Sequence, residues 1–166
     1  ARPLGMKNSH FTPVNTDGGH APMLGGGLCT TLHDYMRFLD MIYHKGVFEE
    51  KQLLKPETIH EMQANQVGKA EVHPGEYVER ALKKYHTGIY GLGEWRELID
   101  EATGEAYQIS SPGWAGAYPW INKQDRVYGF FIAHVQGSSQ KEDGFSSFFG
   151  SPVISQTVSN IISLKR

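Results

Sequence analysis

The chain has 166 residues, a formal net charge of −2 and a hydrophobic fraction of 39%. This length allows one domain with a buried core, and the absence of a basic excess argues against a nucleic-acid-binding protein. No apolar run reaches the roughly 20 residues that span a bilayer. A single cysteine, Cys29, excludes an intramolecular disulfide, and eight histidines without a His-x-x-x-His pair argue against a zinc site.

Two helices are predicted in the first half of the chain, after about thirty irregular residues. Thr31 and Asp34 have the spacing of a capping box, so the first helix is expected to begin there and to end near Gly46. Its apolar face is formed by Tyr35, Phe38, Leu39 and Ile42. Pro56 suits the first turn of a second helix, because a proline there loses no hydrogen bond.

Beyond the helices the sequence pattern changes to that of a sheet. Residues 64–85 are polar and predict a surface excursion, with a short helical turn around 77–84. The apolar residues of 89–95 predict a strand, and the turn at 102–104 leads into a second strand through 107–109.

Two more strands and a helix complete the predicted order. Residues 117–121 and 127–135 are expected to finish an antiparallel meander. Ser151 and Pro152 begin a closing helix that is expected to lie across the sheet. The positions expected to face the sheet are Val153, Ile154, Val158, Ile161 and Ile162. The fold class predicted is α+β, with no βαβ repeat.

Five blocks of the sequence carry a resemblance to a known family. They are residues 3–11, 25–38, 51–58, 90–93 and 111–122, in that order along the chain. Together they resemble the serine β-lactamase-like superfamily, which contains class C β-lactamases, DD-peptidases and related esterases. The resemblance implies a partial β-lactamase/DD-peptidase-like fold.

The resemblance also implies site residues. In the family a strand carries a Lys-Thr-Gly or His-x-Gly triplet that faces the nucleophile, and Ser111-Pro112-Gly113 falls on that triplet. Trp114 would then place its backbone N–H in the oxyanion hole, where a fixed dipole stabilises developing negative charge. Gly113 would let the substrate approach the strand, and Pro112 and Tyr118 would contact it.

Ser111 departs from the family pattern, because it stands where a cationic or imidazole side chain is expected. This weakens the case for binding a substrate carboxylate and favours an esterase- or peptidase-like relative. A second register places Trp114-Ala115-Gly116 on the triplet. The Ser111 register is preferred, since Tyr118 and Trp120 then also fall in place.

The family's nucleophile, a Ser three residues before a Lys, has no convincing counterpart, and no Tyr-x-Asn or Tyr-x-Ser occurs. The one Ser-x-x-Lys string, Ser138 to Lys141, is expected in an exposed turn. In family members the missing motifs precede the 3–11 block. The chain is therefore expected to be the C-terminal portion of a longer hydrolase, with loop and helices in 1–85 and sheet strands and closing helix in 86–166.

The function predicted for the parent protein is acyl-enzyme hydrolysis of an ester, amide or lactam, without cofactor or metal, and this chain alone is expected to be inactive. Its expected partners are the substrate and the missing N-terminal portion, with dimerisation through exposed sheet. The resemblance favours a periplasmic or secreted location. The alternative is a non-catalytic ligand- or peptide-binding module with an exposed edge strand at 106–113.

Overall fold

A computed structural model of the chain describes residues 30–70, 87–113, 116–132 and 149–165. The elements in chain order are α1 (Leu32–Tyr43), β1 (Val47–Phe48), β2 (Lys51–Gln52), α2 (Pro56–Gln63), β3 (Trp95–Ile99), β4 (Ala106–Ser110), β5 (Ala117–Asn122), β6 (Val127–Ile132) and α3 (Ser151–Ser163). The predicted α+β class is confirmed. The first 29 residues, the predicted turn at 77–84, Trp114 and the string from Ser138 to Lys141 lie outside the described residues.

Helix α1 begins where the capping pattern predicts. The Thr31 hydroxyl oxygen accepts a hydrogen bond from the backbone N–H of Asp34 at 3.1 Å, which satisfies one of the free donors of the first turn. After the helix, Gly46 adopts a φ of +89°, and a Cβ there would lie 2.0 Å from the carbonyl oxygen of Leu54. A glycine is therefore required for the chain to turn into the β1–β2 hairpin.

The four long strands form an antiparallel sheet in the order β3-β4-β5-β6. Ile109 pairs with Ile121, Ser110 with Trp120, and Trp120 with Gly129. Strand β4 therefore lies inside the sheet, with β3 on one side and β5 on the other. The expectation that residues 106–113 form an exposed edge strand is wrong, because β3 pairs with the edge of β4 that a bound peptide would need.

The start of the sheet also differs from the prediction. Residues 89–94 do not form a strand and make only an isolated bridge between Tyr90 and Trp95. Two glycines explain the loop: Gly93 has a φ of +78°, and a Cβ on Gly91 would lie 2.3 Å from the carbonyl oxygen of Met62. The backbone thus folds against the end of α2 before β3 begins.

Arg96 holds this loop in place through hydrogen bonds from its side chain. Its side chain is buried and donates from Nε to the carbonyl oxygen of Gln63 at 3.0 Å, and from its guanidinium to the carbonyl oxygens of Gly88 and Gly104. Burial lowers the pKa of Arg96. One guanidinium therefore joins the end of α2, the start of the loop and the β3–β4 turn.

One face of the sheet is apolar and packs against α1 and α2. The core there contains Leu39 and Ile42 of α1, Ile59 of α2, and the paired Ile109 and Ile121. These helical residues recur at the spacing that the sequence predicted, so the prediction of an apolar face on α1 is confirmed for Leu39 and Ile42.

The opposite face of the sheet is polar, and helix α3 packs on it with its serines. The buried residues of α3 are Ser151, Ser155 and Ser159, whereas Val153 is 67% exposed and Ile161 50% exposed. The expectation that the apolar side of the closing helix faces the sheet is wrong for Val153 and Ile161, whereas Ile154, Val158 and Ile162 are half-buried. The reason is the polar sheet face: Ser155 Oγ accepts a hydrogen bond from Gln108 Nε2 and is hydrogen-bonded to the Tyr118 hydroxyl, each at 3.0 Å.

A buried carboxylate, Glu97, lies at the centre of this polar layer. It accepts hydrogen bonds from Gln108 Nε2 at 2.7 Å, from the Tyr118 hydroxyl at 2.9 Å and from the Ser110 hydroxyl. Asn122 extends the network by donating to Gln108 Oε1 at 3.0 Å. Buried polar groups are tolerated when they are hydrogen-bonded, and this layer provides those partners.

Candidate functional site

The predicted triplet lies in the tight connection between β4 and β5. Ser111 donates its backbone N–H to the carbonyl oxygen of Pro119 at 3.2 Å, and Gly113 donates to that of Ala117 at 2.7 Å. Gly116 in turn donates to the carbonyl oxygen of Gly113 at 2.9 Å. The backbone on both sides of Trp114 and Ala115 is thus held by the antiparallel pairing.

A side-chain hydrogen bond connects the triplet to the loop before β3. The Ser111 hydroxyl donates to the carbonyl oxygen of Gly93 at 3.0 Å. A Cβ added to Gly113 would meet Ala117 Cβ at 3.6 Å, which is an ordinary contact distance. Packing among the described residues therefore does not require a glycine at position 113.

A cavity of about 220 Å³ opens beside Ser111, between α1, the end of α2, the 92–94 loop and the central strands. We refer to it as the α1–sheet cavity. Its walls are formed by Tyr35, Phe38, Leu39, Ile42, Met62, Leu92, Gly93, Glu94, Ile109, Ser110, Ser111, Pro119, Trp120 and Ile121. Most of these residues are apolar, so the few polar groups stand out.

Glu94 is the one acidic residue among these described wall residues, and sequence reasoning missed it. Its Oε1 atom is buried and has no hydrogen-bond partner among the described residues. Burial raises the pKa of Glu94 to about 7, and the field of Lys123 opposes the rise only partly. The sequence places Glu94 directly after Gly91-Leu92-Gly93, at the end of a tight loop, but it carries no signal of the burial that changes its pKa.

Tyr35 faces the same cavity from α1. Its ring stacks on Phe130 of β6, with the ring centroids 4.4 Å apart, so β6 fixes its orientation. Burial raises the pKa of the Tyr35 hydroxyl, and the neighbouring charge of Glu94 raises it further. Tyr35 therefore stays protonated over the range in which Glu94 titrates.

The structure does not bring Tyr118 to the cavity. Tyr118 is fully buried, and its hydroxyl bonds Glu97 and Ser155 on the polar face of the sheet. Burial raises the pKa of Tyr118 well above its usual value. The expectation that Tyr118 contacts substrate is therefore corrected, because alternation along β5 directs its side chain to the face opposite Pro119 and Ile121.

Comparison with solved structures identifies a relative. Over 96% of its length the chain matches, at 74% sequence identity and a TM-score of 0.81, a protein from Bacteroides dorei DSM 17855 named "putative beta-lactamase". The chain is β-lactamase-like. It spans 48% of that protein, or about half of its length, which is consistent with the predicted C-terminal portion of a β-lactamase-like protein. No protein-family model and no curated protein matches the chain.

Several predictions about this β-lactamase-like chain concern residues that are not described. Trp114, the predicted oxyanion donor, and Ser138 are among them, so their roles stay predictions. Within residues 30–70, 87–113, 116–132 and 149–165, no group of three His, Cys, Asp or Glu side chains is arranged to hold a metal ion. The helices in the same ranges are too short or too polar to cross a bilayer.

Proposed function

We propose that this chain supplies one wall of the catalytic cleft of a β-lactamase-like serine hydrolase, which acts through an acyl-enzyme on an ester, amide or lactam. The observation that carries the proposal is the 74% identity, over almost the whole chain, to about half of the Bacteroides dorei protein named "putative beta-lactamase". At that identity the two chains share most of their side chains as well as their fold. The resemblance of the triplet region agrees with this family.

In this proposal the triplet and Trp114 surround the reacting carbonyl group of the substrate. Ser111 and Gly113 flank the cleft, and the backbone N–H of Trp114 donates to the oxyanion. The hydrogen bonds from Gly113 to Ala117 and from Gly116 to Gly113 support the role, because a donor must be fixed before charge develops. The loss of one such donor typically lowers the rate by about 10²- to 10³-fold.

The identity of residue 111 bears on the substrate. A serine hydroxyl that already donates to the Gly93 carbonyl oxygen offers no positive charge to a substrate carboxylate. We therefore favour a neutral ester or amide over a penicillin. In the reconstituted hydrolase, Ser111→Lys should raise acylation by a penicillin relative to acylation by an uncharged ester.

The nucleophile is proposed to come from outside these 166 residues. The relative is about twice as long as the matched region, so it contains ample sequence for a Ser-x-x-Lys segment. The chain alone should then retain only weak electrostatic help to the reaction.

The test is intact-mass spectrometry after treatment with a fluorophosphonate and, separately, with a reactive penicillin. The chain alone should carry no adduct. When it is co-expressed with the part of the Bacteroides dorei protein that it does not cover, that partner polypeptide should be labelled stoichiometrically. An adduct on Ser111 or Ser138 of the chain alone would refute its inactivity, and an unlabelled assembled complex would refute the hydrolase assignment.

A further inference from the structure

The α1–sheet cavity contains a carboxyl oxygen that the described residues around it leave without a hydrogen-bond partner. Most of the wall is apolar, yet Glu94 presents a buried oxygen that has no hydrogen-bond partner among the described residues. Leaving a buried acceptor unpaired typically costs about 1–3 kcal/mol, and a charged one costs more. A ligand that donates a hydrogen bond to this oxygen would remove the cost.

The charges near Glu94 do not supply that partner. Lys123, in the β5–β6 turn, influences Glu94 electrostatically, but its Nζ donates to the carbonyl oxygen of Ala106 at 3.1 Å. From α1 the titratable group is Tyr35, which is a neutral hydroxyl near pH 7. The carboxylate thus lacks a direct cationic partner within the described residues.

The size and the lining of the cavity indicate which apolar group a ligand of Glu94 would carry. An engineered apolar cavity of about 150 Å³ holds a benzene ring, and the α1–sheet cavity is larger, at about 220 Å³. Tyr35 and Phe38 offer aromatic walls to such a ring. Phe38 and Leu92 are 45% and 53% exposed, so the cavity has an apolar entrance.

We propose that the α1–sheet cavity binds a small aromatic or alkyl amine, with the ammonium group on the Glu94 carboxylate and the apolar body against Tyr35 and Phe38. The ammonium donates to Oε1 and neutralises the buried charge, and the ring fills the apolar remainder. This inference goes beyond the proposed hydrolase function, because binding needs no nucleophile and is measurable on the chain alone.

Benzylamine is the probe, and isothermal titration calorimetry with the chain at pH 8 is the measurement. Glu94→Gln keeps the size of the side chain and removes its charge, so it should lower the affinity for benzylamine at least about tenfold. Benzyl alcohol, which lacks the charge, should bind both proteins equally. Glu105→Gln is the matched control, since it removes an exposed carboxyl that lines two other cavities and should not change the affinity.

A second measurement uses only the unaltered chain. Because Glu94 must lose its proton to pair with an ammonium, the affinity for benzylamine should rise about tenfold between pH 6 and pH 8, while the amine itself stays charged. No binding at millimolar benzylamine, an unchanged affinity in Glu94→Gln, or a flat pH profile would each overturn the proposal. None of these results depends on whether the assembled protein is a hydrolase.

Discussion

Glu94 makes the stability of the molecule depend on pH in an unusual direction. The pKa of this carboxyl is about 7 in the folded chain and near 4.5 in water, so the folded state holds the proton more tightly than the unfolded state. The stabilisation from the bound proton is fully present below about pH 4.5 and is lost as the pH rises through 7.

Glu94→Gln should therefore change the pH profile of unfolding. The free energy of unfolding of the variant, relative to the original chain, should increase between pH 4.5 and 8 by up to about 3 kcal/mol. Urea unfolding at both pH values measures this. Glu105→Gln, at an exposed carboxyl, should show no such increase, and an identical profile for Glu94→Gln would contradict the burial of its charge.

Tyr118 has a structural role that is measurable in the same way. Tyr118→Phe removes the hydroxyl that bonds Glu97 and Ser155, so the buried Glu97 carboxylate loses one donor and Ser155 loses one partner. The free energy of unfolding should fall by about 1–3 kcal/mol. Tyr128→Phe is the comparison, since its hydroxyl donates to Asp40 at 2.5 Å in a less buried place and should cost less. Equal losses in thermal or urea unfolding would count against the buried network.

At the level of elements, the close contact between β5 and β6 depends on one glycine. A Cβ on Gly129 would lie 2.3 Å from the ring of Trp120, whose ring stacks on Tyr118. Gly129→Ala should therefore force Trp120 to move and should cost about 1–3 kcal/mol.

The matched control for that substitution is Gly113→Ala, where the new Cβ would make only an ordinary contact. Chemical denaturation should show a clear loss for Gly129→Ala and little change for Gly113→Ala. If both were neutral, the packing of Trp120 on β6 would be looser than described. If Gly113→Ala preserved stability but abolished labelling of the assembled hydrolase, the role of Gly113 in substrate approach would gain support.

The sequence predicted the elements whose signals are local. The capping pair at Thr31 and Asp34, Pro56 at the start of α2, and the turn at Gly104 each fix a boundary through neighbouring residues. The buried face of α3 was not predictable in this way. Apolar periodicity points to Val153 and Ile161, but the polar partners that bury Ser155 come from strands far away in the chain.

The candidate site was predictable only in part. The triplet at Ser111 could be found from family resemblance, and the structure joins it to Gly93 and the α1–sheet cavity. Glu94 could not be found from a motif, because its chemistry arises from burial beside Tyr35 and Lys123. Tyr118 was misplaced because alternation along a strand assigns a face only when the register with a neighbouring element is known.

For the whole molecule, the exposed apolar side chains predict association. Phe38 and Leu92 are large, at least 45% exposed, and both border the α1–sheet cavity. Patches of this kind mark interaction surfaces. Sedimentation velocity at rising concentration should therefore show self-association of the chain, and Phe38→Ser with Leu92→Ser should reduce it. A single monomeric species across the concentration range would contradict the prediction.

The difference between the two faces of the sheet has a consequence for strand alignment. If β4 slipped by one residue against its neighbours, Gln108 and Ser110 would enter the apolar layer under α1, and Ile109 would meet Ser155. Both layers would then be mismatched, one through unpaired polar groups and the other through lost hydrogen bonds. A different register would thus lower the stability on both faces of the sheet, so a single register is favoured.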